Sequence, residues 1–412
     1  MRSALTYASM VCVVLAACAD RDAREPTGIP ASADLRAAHG GKQPLYKVEH
    51  LGSLGGTSSR GNGINSRGWV AGYSNLAGNE IRRAALWKHG SVDELGTLGG
   101  PHSNVPGAGI NNRGMVVGIA ETDEPDPLGQ AWSCTAFFFP LNPTGKICHG
   151  FFWERGTMKK LPTLGGYNGF AQAINNRGQV VGWAETGDAD STCSDVRTLG
   201  FKAVLWEPKR DRFKPLEPLR DHSASAATAI NEWGQVVGIS GDCDQAVGRF
   251  TARNVVLWDR DKVIDLGGLG GVSWNTPWDI NEWGEVVGFG NPPGDDDGGF
   301  NGQAFYWNRF KGMHNLGALA DNTNAQAQSI NNRGQVVGVS FGGTGGQRAF
   351  YWERGDEELT DLNSLVVSSY TGVLIDAREI LDNGKITGSA LDANGEVVAF
   401  VATPVGRGRF HK

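Results

Sequence analysis

The chain has 412 residues, of which 60 are glycine, and its formal net charge is −6. This small negative net charge does not indicate a generally basic protein that binds nucleic acid, and it identifies no partner. After the first twenty residues, no apolar run approaches the roughly 20 residues that span a membrane. Glycine is about twice as frequent as usual, which is typical of a chain with many tight turns.

Residues 1–17 are predicted to be a lipoprotein signal peptide. Arg2 supplies a positive charge and residues 8–17 (ASMVCVVLAA) form a short apolar stretch. The sequence Leu15-Ala16-Ala17-Cys18 resembles the bacterial lipobox, which implies acylation of Cys18 and stable anchoring by two or more acyl chains. Since Ala19 rather than Asp follows the cysteine, the resemblance implies an outer-membrane lipoprotein in the cell envelope, facing the periplasm or the exterior. An ordinary secretory signal, and hence a secreted protein, is the alternative.

Residues 18–43 carry Pro, Gly, Ala and charged residues without apolar periodicity, which predicts a flexible tether. Its typical reach would be roughly 25–30 Å. Residues 44–404 form the predicted repeat domain, and residues 405–412 form a basic tail.

The repeat domain contains seven copies of a pattern in which Ile-Asn-x-x-Gly, or a close variant, precedes Val-Val-Gly. The copies begin at Ile64, Ile110, Ile174, Ile230, Ile280, Ile330 and Ile380. Most lie about 50 residues apart, and a unit such as 303–338 contains four short runs of alternating apolar residues. These features predict an all-β protein of four-stranded repeats.

Within each unit, the asparagine and glycine of the Asn-x-x-Gly turn are predicted to be structural. Asparagine satisfies turn backbone and glycine supplies the positive φ. A small residue stands three positions before each isoleucine, which is typical of strands packed tightly against a neighbouring sheet. Tryptophans at the ends of strands, such as Trp87 and Trp206, are predicted to be core spacers between sheets.

Four strands in each of seven units predict a seven-bladed β-propeller. The domain begins with a segment that corresponds to the second of the four runs of a unit and ends at 397–404 with one that corresponds to the first run. Both ends would then complete one blade and close the ring. A β-solenoid is the alternative.

The motifs resemble the HAF-repeat family, a group of probable bacterial extracellular repeat proteins. The matching segments are 96–100 (GTLGG) and 330–338 (INNRGQVVG), whereas the family's leading histidine is absent. The resemblance implies architecture and an extracytoplasmic location. It supplies no catalytic residues.

Four cysteines in the repeat domain suggest two disulfides in an exported chain. The favoured pairs are Cys134–Cys148, which would staple one long insertion, and Cys193–Cys243, between equivalent loops of adjacent repeats. Free buried thiols are the alternative, and the spacings match no zinc pattern.

Alternating strand directions predict two edges of different charge. The loops after Val-Val-Gly, at 121–126, 185–195, 240–244 and 291–299, would form an acidic rim. The Asn-x-x-Gly turns and the hairpin turns after the Trp-ended strands carry many Arg and Lys residues and would form a basic rim. The simpler interpretation is that the residues of both edges are polar because they are exposed to solvent.

Two turns of the basic rim carry a tryptophan where other repeats carry arginine. Trp233 and Trp283 could form an aromatic platform for a sugar or a protein, or could pack against adjacent turns. On the acidic rim, His102 and His222 occupy comparable loops and are further candidates for ligand binding.

No cofactor is predicted, with calcium as the alternative. Its candidate ligands are Asp188, Asp190, Asp295, Asp296 and Asp297. The sequence lacks a Gly-x-Ser-x-Gly elbow, a phosphate loop and a dinucleotide fingerprint. The resulting hypothesis is a monomeric, non-enzymatic binding module for a cell-envelope protein or glycan, attached to the membrane only through its lipid and without a nucleic-acid partner. Alternatives are a glycan-active hydrolase or lyase that uses acidic-rim carboxylates, and a structural envelope protein.

Overall fold

The computed structural model describes residues 43–130, 132–193, 197–244 and 248–405. The predicted signal peptide, the predicted lipidation site Cys18, nearly all of the tether and the tail beyond residue 405 lie outside these residues. Across the described residues the chain forms strands β1 to β28 and one short α-helix. The prediction of an all-β protein is confirmed.

After the first strand, β1 (Leu45–His50), the chain builds four-stranded antiparallel sheets one after another. The first sheet comprises β2 (Gly55–Ile64), β3 (Val70–Leu76), β4 (Arg82–Lys88) and β5 (Ser91–Glu94). The second comprises β6 (Gly99–Asn104), β7 (Val116–Pro125), β8 (Lys146–Glu154) and β9 (Thr157–Lys160), with helix α1 (Trp132–Phe138) between β7 and β8. The third comprises β10 (Gly165–Ile174), β11 (Val180–Ala189), β12 (Leu199–Glu207) and β13 (Arg212–Leu216).

The same order of strands continues through the second half of the domain. The fourth sheet comprises β14 (Ala224–Ile230), β15 (Val236–Gly241), β16 (Asn254–Asp259) and β17 (Lys262–Gly267). The fifth comprises β18 (Thr276–Ile280), β19 (Val286–Gly290), β20 (Gln303–Asn308) and β21 (Gly312–Gly317). The sixth comprises β22 (Asn324–Ile330), β23 (Gln335–Phe341), β24 (Arg348–Glu353) and β25 (Thr360–Asp361). Short 3₁₀ helices occupy Pro208–Arg210, Arg249–Ala252 and Leu362–Leu365.

The last sheet is assembled from both ends of the described chain. It comprises β26 (Val373–Ile380), β27 (Ile386–Leu391) and β28 (Val397–Val405), and β1 pairs with β28 in antiparallel register. One parallel pairing, between Ser58 and Val397, joins this sheet to the first. The seven four-stranded units form the predicted β-propeller, and the blade predicted to be shared by both termini is observed.

The hydrophobic core lies in layers between neighbouring sheets. One layer joins Ala71 and Leu86 of the first sheet to Ile110, Val116 and Phe151 of the second. Most of the strand-end tryptophans are buried, as predicted: Trp87, Trp153, Trp206, Trp258 and Trp352. Successive blades therefore bury apolar surface against each other along the whole chain.

The Asn-x-x-Gly turns link neighbouring blades by hydrogen bonds. In the first repeat, Asn65 Oδ1 accepts hydrogen bonds from the backbone N–H groups of Arg67 and Trp69, both at 3.0 Å. Asn65 Nδ2 donates to the backbone carbonyl of Asn111, at the corresponding position of the next repeat. The same inter-blade bond is made by Asn111, Asn175, Asn231, Asn281 and Asn331. We call this series of inter-blade bonds the asparagine ladder. Its last bond is accepted by the carbonyl of Leu381, which replaces asparagine in the seventh repeat.

Two disulfides are present, as predicted, with the favoured pairing. Cys134 of α1 bonds to Cys148 of β8, with a Cα–Cα distance of 5.8 Å. Cys193 and Cys243 join equivalent loops of the third and fourth sheets, with a Cα–Cα distance of 4.4 Å. In the described part of the chain, no helix combines the length and apolar character needed to cross a membrane.

Candidate functional site

The first strands of the blades lie nearest the axis, and in six of the seven blades this strand contacts the first strand of a neighbouring blade. In six blades this strand has a register shift two residues before the repeated isoleucine. The residues at these bulges are Asn62, Gln172, Thr228, Trp278, Gln328 and Arg378. Ala108 holds the corresponding position in the second repeat. A β-bulge re-aims a side chain, and five of these six bulge residues line a common pocket.

Most of these bulge residues line one pocket at the basic-rim end of the inner strands. We call this the axial pocket, and the space within it, counted together with the open solvent at its mouth, is about 300 Å³. It is lined by the bulge residues Asn62, Gln172, Trp278, Gln328 and Arg378, and by Ala108 at the corresponding position of the second repeat. Asp279 and Ser329 complete its polar wall. An indole and several carboxamides therefore converge from different blades on one concave site.

The charges beneath the axial pocket are paired with each other. Arg378 Nε lies 2.7 Å from Asp376 Oδ2, and Arg60 Nη1 lies 3.8 Å from the same oxygen. Arg378 Nη1 also donates to Gln328 Oε1 at 2.9 Å. Burial, together with Arg60, lowers the pKa of Arg378 to about 10, so the guanidinium remains charged at neutral pH. The two guanidinium groups therefore share the one carboxylate of Asp376.

Two buried polar atoms at the axial pocket have no hydrogen-bond partner among the described residues. They are Asn62 Oδ1 and Trp278 Nε1. Asn62 is only 1% exposed, and its Nδ2 donates to the carbonyl of Val105 at 2.6 Å. That bond fixes the orientation of the amide. Because buried polar groups are normally satisfied by protein, ordered water or a ligand, these two atoms call for a partner that the described residues do not supply.

Two carboxyl groups, Asp279 of the pocket wall and Glu379 next to Arg378 in the chain, connect adjacent blades. Asp279 Oδ2 accepts from the backbone N–H of Ile330 at 2.9 Å, and Glu379 Oε2 accepts from that of Ile64 at 2.6 Å. Burial raises the pKa of Asp279. Burial, with a smaller contribution from Asp279, raises the pKa of Glu379 to about 8. Glu379 is therefore mainly protonated at neutral pH.

Trp233 and Trp283 lie on adjacent turns of the basic rim. Their exposed fractions are 73% and 70%. Trp233 Nε1 donates to the carbonyl of Glu282 at 3.1 Å, and Trp283 Nε1 donates to that of Asn332 at 2.9 Å. Each indole thus contacts the adjacent turn, as expected for packing between turns. It also leaves most of its surface in solvent, as an aromatic platform for a ligand requires.

The two histidines singled out on the acidic rim belong to different sheets and take part in local packing. His102 Nδ1 accepts from the backbone N–H of Arg82 at 3.2 Å, and burial, with the nearby Arg82 charge, lowers the pKa of His102 to about 4. His222 Nδ1 lies 2.9 Å from Ser240 Oγ, and burial lowers its pKa as well. Both side chains hold local structure on that rim.

Two of the aspartates considered for calcium, Asp190 and Asp295, accept hydrogen bonds from the backbone of nearby loops. Asp295 accepts from the backbone N–H groups of Val272 and Ser273 at 2.9 and 3.0 Å, and Asp190 Oδ1 accepts from the N–H of Thr192 at 2.8 Å. Within the described ranges, clusters of three possible metal-ligating residues pair Glu121 or Asp190 with the cysteines of a disulfide. Those sulfurs are already bonded to each other, so they offer no thiolate for a metal.

The residues of the axial pocket were not identified from the sequence. They share a position, two before each repeated isoleucine, but no residue type. Aligning the repeats on that isoleucine and looking for the most variable inward position would have found them.

In comparisons with known proteins, the family described as "Protein of unknown function (DUF3466)" matches residues 216–401. No match to the HAF-repeat family is found, so that family assignment is wrong. No curated protein matches the chain in sequence.

Solved structures similar to this chain include a peptidase, the β-propeller domain of a protease and a sialidase. Acylaminoacyl peptidase from Pyrococcus horikoshii is 10% identical, with a TM-score of 0.47, and the match covers 87% of this chain and 54% of the peptidase. The chain thus spans about half of that protein. The β-propeller domain of the Trilobed protease from Pyrococcus furiosus is 8% identical, with a TM-score of 0.44, and the coverages are 86% and 98%. A Trypanosoma rangeli sialidase is 10% identical, with a TM-score of 0.36, and the coverages are 84% and 55%. Likeness at this level carries no activity over to this chain.

Proposed function

We propose that this chain is a non-enzymatic binding propeller that holds an uncharged, hydroxyl-rich ligand, such as a saccharide, in the axial pocket. The observation that carries the proposal is the pair of unpartnered buried atoms there, the acceptor Asn62 Oδ1 and the donor Trp278 Nε1. A hydroxyl group serves both needs, since it donates one hydrogen bond and accepts others.

The rest of the pocket suits the same ligand class. Gln172 and Gln328 add carboxamides, which can donate and accept. The indole of Trp278 provides an apolar surface for the C–H face of a sugar ring. Because Arg378 is paired with Asp376, a charged ligand would gain little here.

An extracytoplasmic location forms part of the proposal. Two disulfides in the domain support an oxidising compartment. Anchoring through Cys18 in the outer membrane, with secretion as the alternative, would place the propeller where cell-envelope glycans are its partners. The proposed protein acts as a monomer and needs neither nucleic acid nor a metal cofactor.

The proposal is tested by the variant Trp278→Thr in the full chain, since Thr228 occupies the same bulge position in the fourth repeat. The probes are glucose, galactose, N-acetylglucosamine and their disaccharides, observed by saturation-transfer NMR. Wild type should bind at least one of them, and Trp278→Thr should weaken that binding at least about tenfold through the loss of a central aromatic contact. The control Glu357→Gln changes an exposed hairpin residue and should bind as wild type does.

Absence of binding by every saccharide would exclude the proposal. Equal binding by wild type and Trp278→Thr would show that the axial pocket is not the site.

A glycan hydrolase is the second candidate, and Glu379 is the observation that favours it. A carboxyl group with a pKa near 8 is protonated at neutral pH, as a general acid must be. Incubation with a set of polysaccharides would then release reducing ends, Glu379→Gln would abolish the release, and activity would fall as pH rises past about 8. Release that persists in Glu379→Gln would assign catalysis elsewhere.

A further inference from the structure

The tryptophans of the basic rim are held in place yet exposed, which is uncommon for large apolar side chains on a turn. Because the indole N–H of Trp233 is bonded to the carbonyl of Glu282, the residue before Trp283, the two rings lie on contiguous turns. Each hydrogen bond fixes the ring before any ligand arrives, so binding would cost little side-chain entropy. Both rings keep about 70% of their surface in solvent, at 73% and 70%.

The same two turns differ from the others at a second position. They read Asn-Glu-Trp-Gly at 231–234 and 281–284, whereas the first three repeats and the sixth carry arginine in place of the tryptophan, at Arg67, Arg113, Arg177 and Arg333. Glu232 Oε1 accepts from the backbone N–H of Asn176, and Glu282 Oε1 accepts from that of Glu232. The second oxygen of each carboxylate has no hydrogen-bond partner within the described residues. Each turn thus carries one fixed indole and one carboxylate oxygen with spare acceptor capacity.

We infer that Glu232, Trp233, Glu282 and Trp283 form a second binding surface, which holds two units of a linear, uncharged polysaccharide. Each indole stacks on the C–H face of one sugar, and the neighbouring carboxylate accepts hydrogen bonds from its hydroxyl groups. Two equivalent subsites in consecutive repeats match a ligand that is itself a repeat. We call this surface the tryptophan pair.

The features of the tryptophan pair select against other ligand classes. A single-stranded nucleic acid could stack on the indoles and contact the arginines of the basic rim, but its phosphates would also face the carboxylates of Glu232 and Glu282. A globular protein partner would be expected to bury a wider apolar area than two turn tips provide. A neutral glycan requires only the flat ring faces and the nearby acceptors.

This inference shares its ligand class with the proposed function but depends on different residues. The tryptophan pair and the axial pocket lie at the same end of the inner strands. A polymer could therefore be held along the rim by the pair whether or not a sugar occupies the pocket.

The test compares the full chain with Trp233→Arg/Trp283→Arg, in which both turns receive the residue of the other repeats. This double variant should fold, because four turns already carry arginine. The probes are insoluble cellulose and chitin, with polygalacturonate as a polyanion, and bound protein is measured by depletion from solution. Wild type should bind cellulose or chitin, and the double variant should bind at least about tenfold more weakly, since two neighbouring contacts act on one chain.

Two further variants separate stacking from pocket binding. Trp233→Phe/Trp283→Phe keeps aromatic faces and should retain most polymer binding. Trp278→Thr should leave polymer binding unchanged within about twofold while it weakens binding of short saccharides, because it changes none of the four residues of the tryptophan pair. If only short-saccharide binding is lost, the inference about the tryptophan pair is therefore not contradicted.

Three results would overturn the inference. One is failure of wild type to bind either neutral polymer. Another is equal binding by wild type and the double arginine variant. The third is binding of polygalacturonate alone, which would reverse the assigned charge preference.

Discussion

Glu379 lies partly buried next to Arg378 in the chain, and its Oε2 accepts a hydrogen bond from the backbone N–H of Ile64. Burial raises its pKa to about 8, above the value of an unfolded glutamate. The folded protein thus binds this proton more tightly than the unfolded chain does. The stabilisation is complete below a pH of about 4.5 and is lost as pH rises through about 8.

Replacement of this residue, Glu379→Gln, should remove that part of the pH dependence. Glutamine keeps the acceptor for Ile64 but carries no titrating proton. The variant should gain stability relative to wild type as pH rises from 5 to 9, as measured by urea unfolding at several pH values. The comparison with wild type cancels the titration of other groups. A constant difference across the range would mean that Glu379 titrates normally.

The axial pocket illustrates why single residues of this site escaped prediction. Asn62, Thr228 and Arg378 occupy equivalent bulges but share no chemistry. A bulge arises from the register between two strands, and nothing in the local sequence marks which residue is left unpaired. By contrast, Trp233 and Trp283 attracted attention because they depart from the residue usual at a turn tip.

At the scale of one structural element, the Asn-x-x-Gly turn was predictable because it depends on hydrogen bonds between the asparagine side chain and the backbone of the same turn. Asn231 Oδ1 accepts from the backbone N–H groups of Trp233 and Gln235. Its Nδ2 also donates to the carbonyl of Asn281 in the next blade, at 3.1 Å. The bonds within the turn follow from known asparagine preferences, whereas the bond between blades depends on how the sheets are placed.

Replacement of that side chain, Asn231→Leu, introduces the residue found at the seventh position of the ladder. The change removes one inter-blade hydrogen bond and leaves buried backbone groups unsatisfied. We expect the free energy of unfolding to fall by about 1–3 kcal/mol, as measured in urea.

The matched control is Asn383→Ala in the seventh turn. Asn383 is exposed and its Oδ1 accepts only from the backbone N–H of Lys385. Its replacement should change stability by less than about 0.5 kcal/mol. Equal losses in the two variants would show that the inter-blade bond contributes nothing.

At the scale of the whole molecule, β1 is the strand that completes the last blade. Tyr46 is fully buried in the layer that contains Leu365 and Phe400, whereas Lys47 points to solvent. The sequence predicted this arrangement because the two ends of the domain carry complementary parts of one repeat. The assignment to the HAF-repeat family was wrong because turn and strand motifs of this kind are required by the fold. Unrelated chains with the same fold can share them.

Tyr46→Ala should cost about 3–5 kcal/mol, the range for truncation of a large buried aromatic residue. Lys47→Ala, the neighbouring control, should cost less than about 0.5 kcal/mol. Thermal or urea unfolding measures both. A small effect of Tyr46→Ala would mean that the seventh blade is stable without β1.

The pairing of β1 with β28 also determines how the propeller would respond to a pulling force. Leu45 is paired with Val405 and His50 with Phe400, so the outer ends of the two strands meet at the same end of the blade. Tension between these two ends would load the ladder one hydrogen bond at a time, starting at Leu45, rather than all bonds together. Stretched between its ends, the molecule would peel open at low force from this blade, while the other six blades would initially bear little of the load.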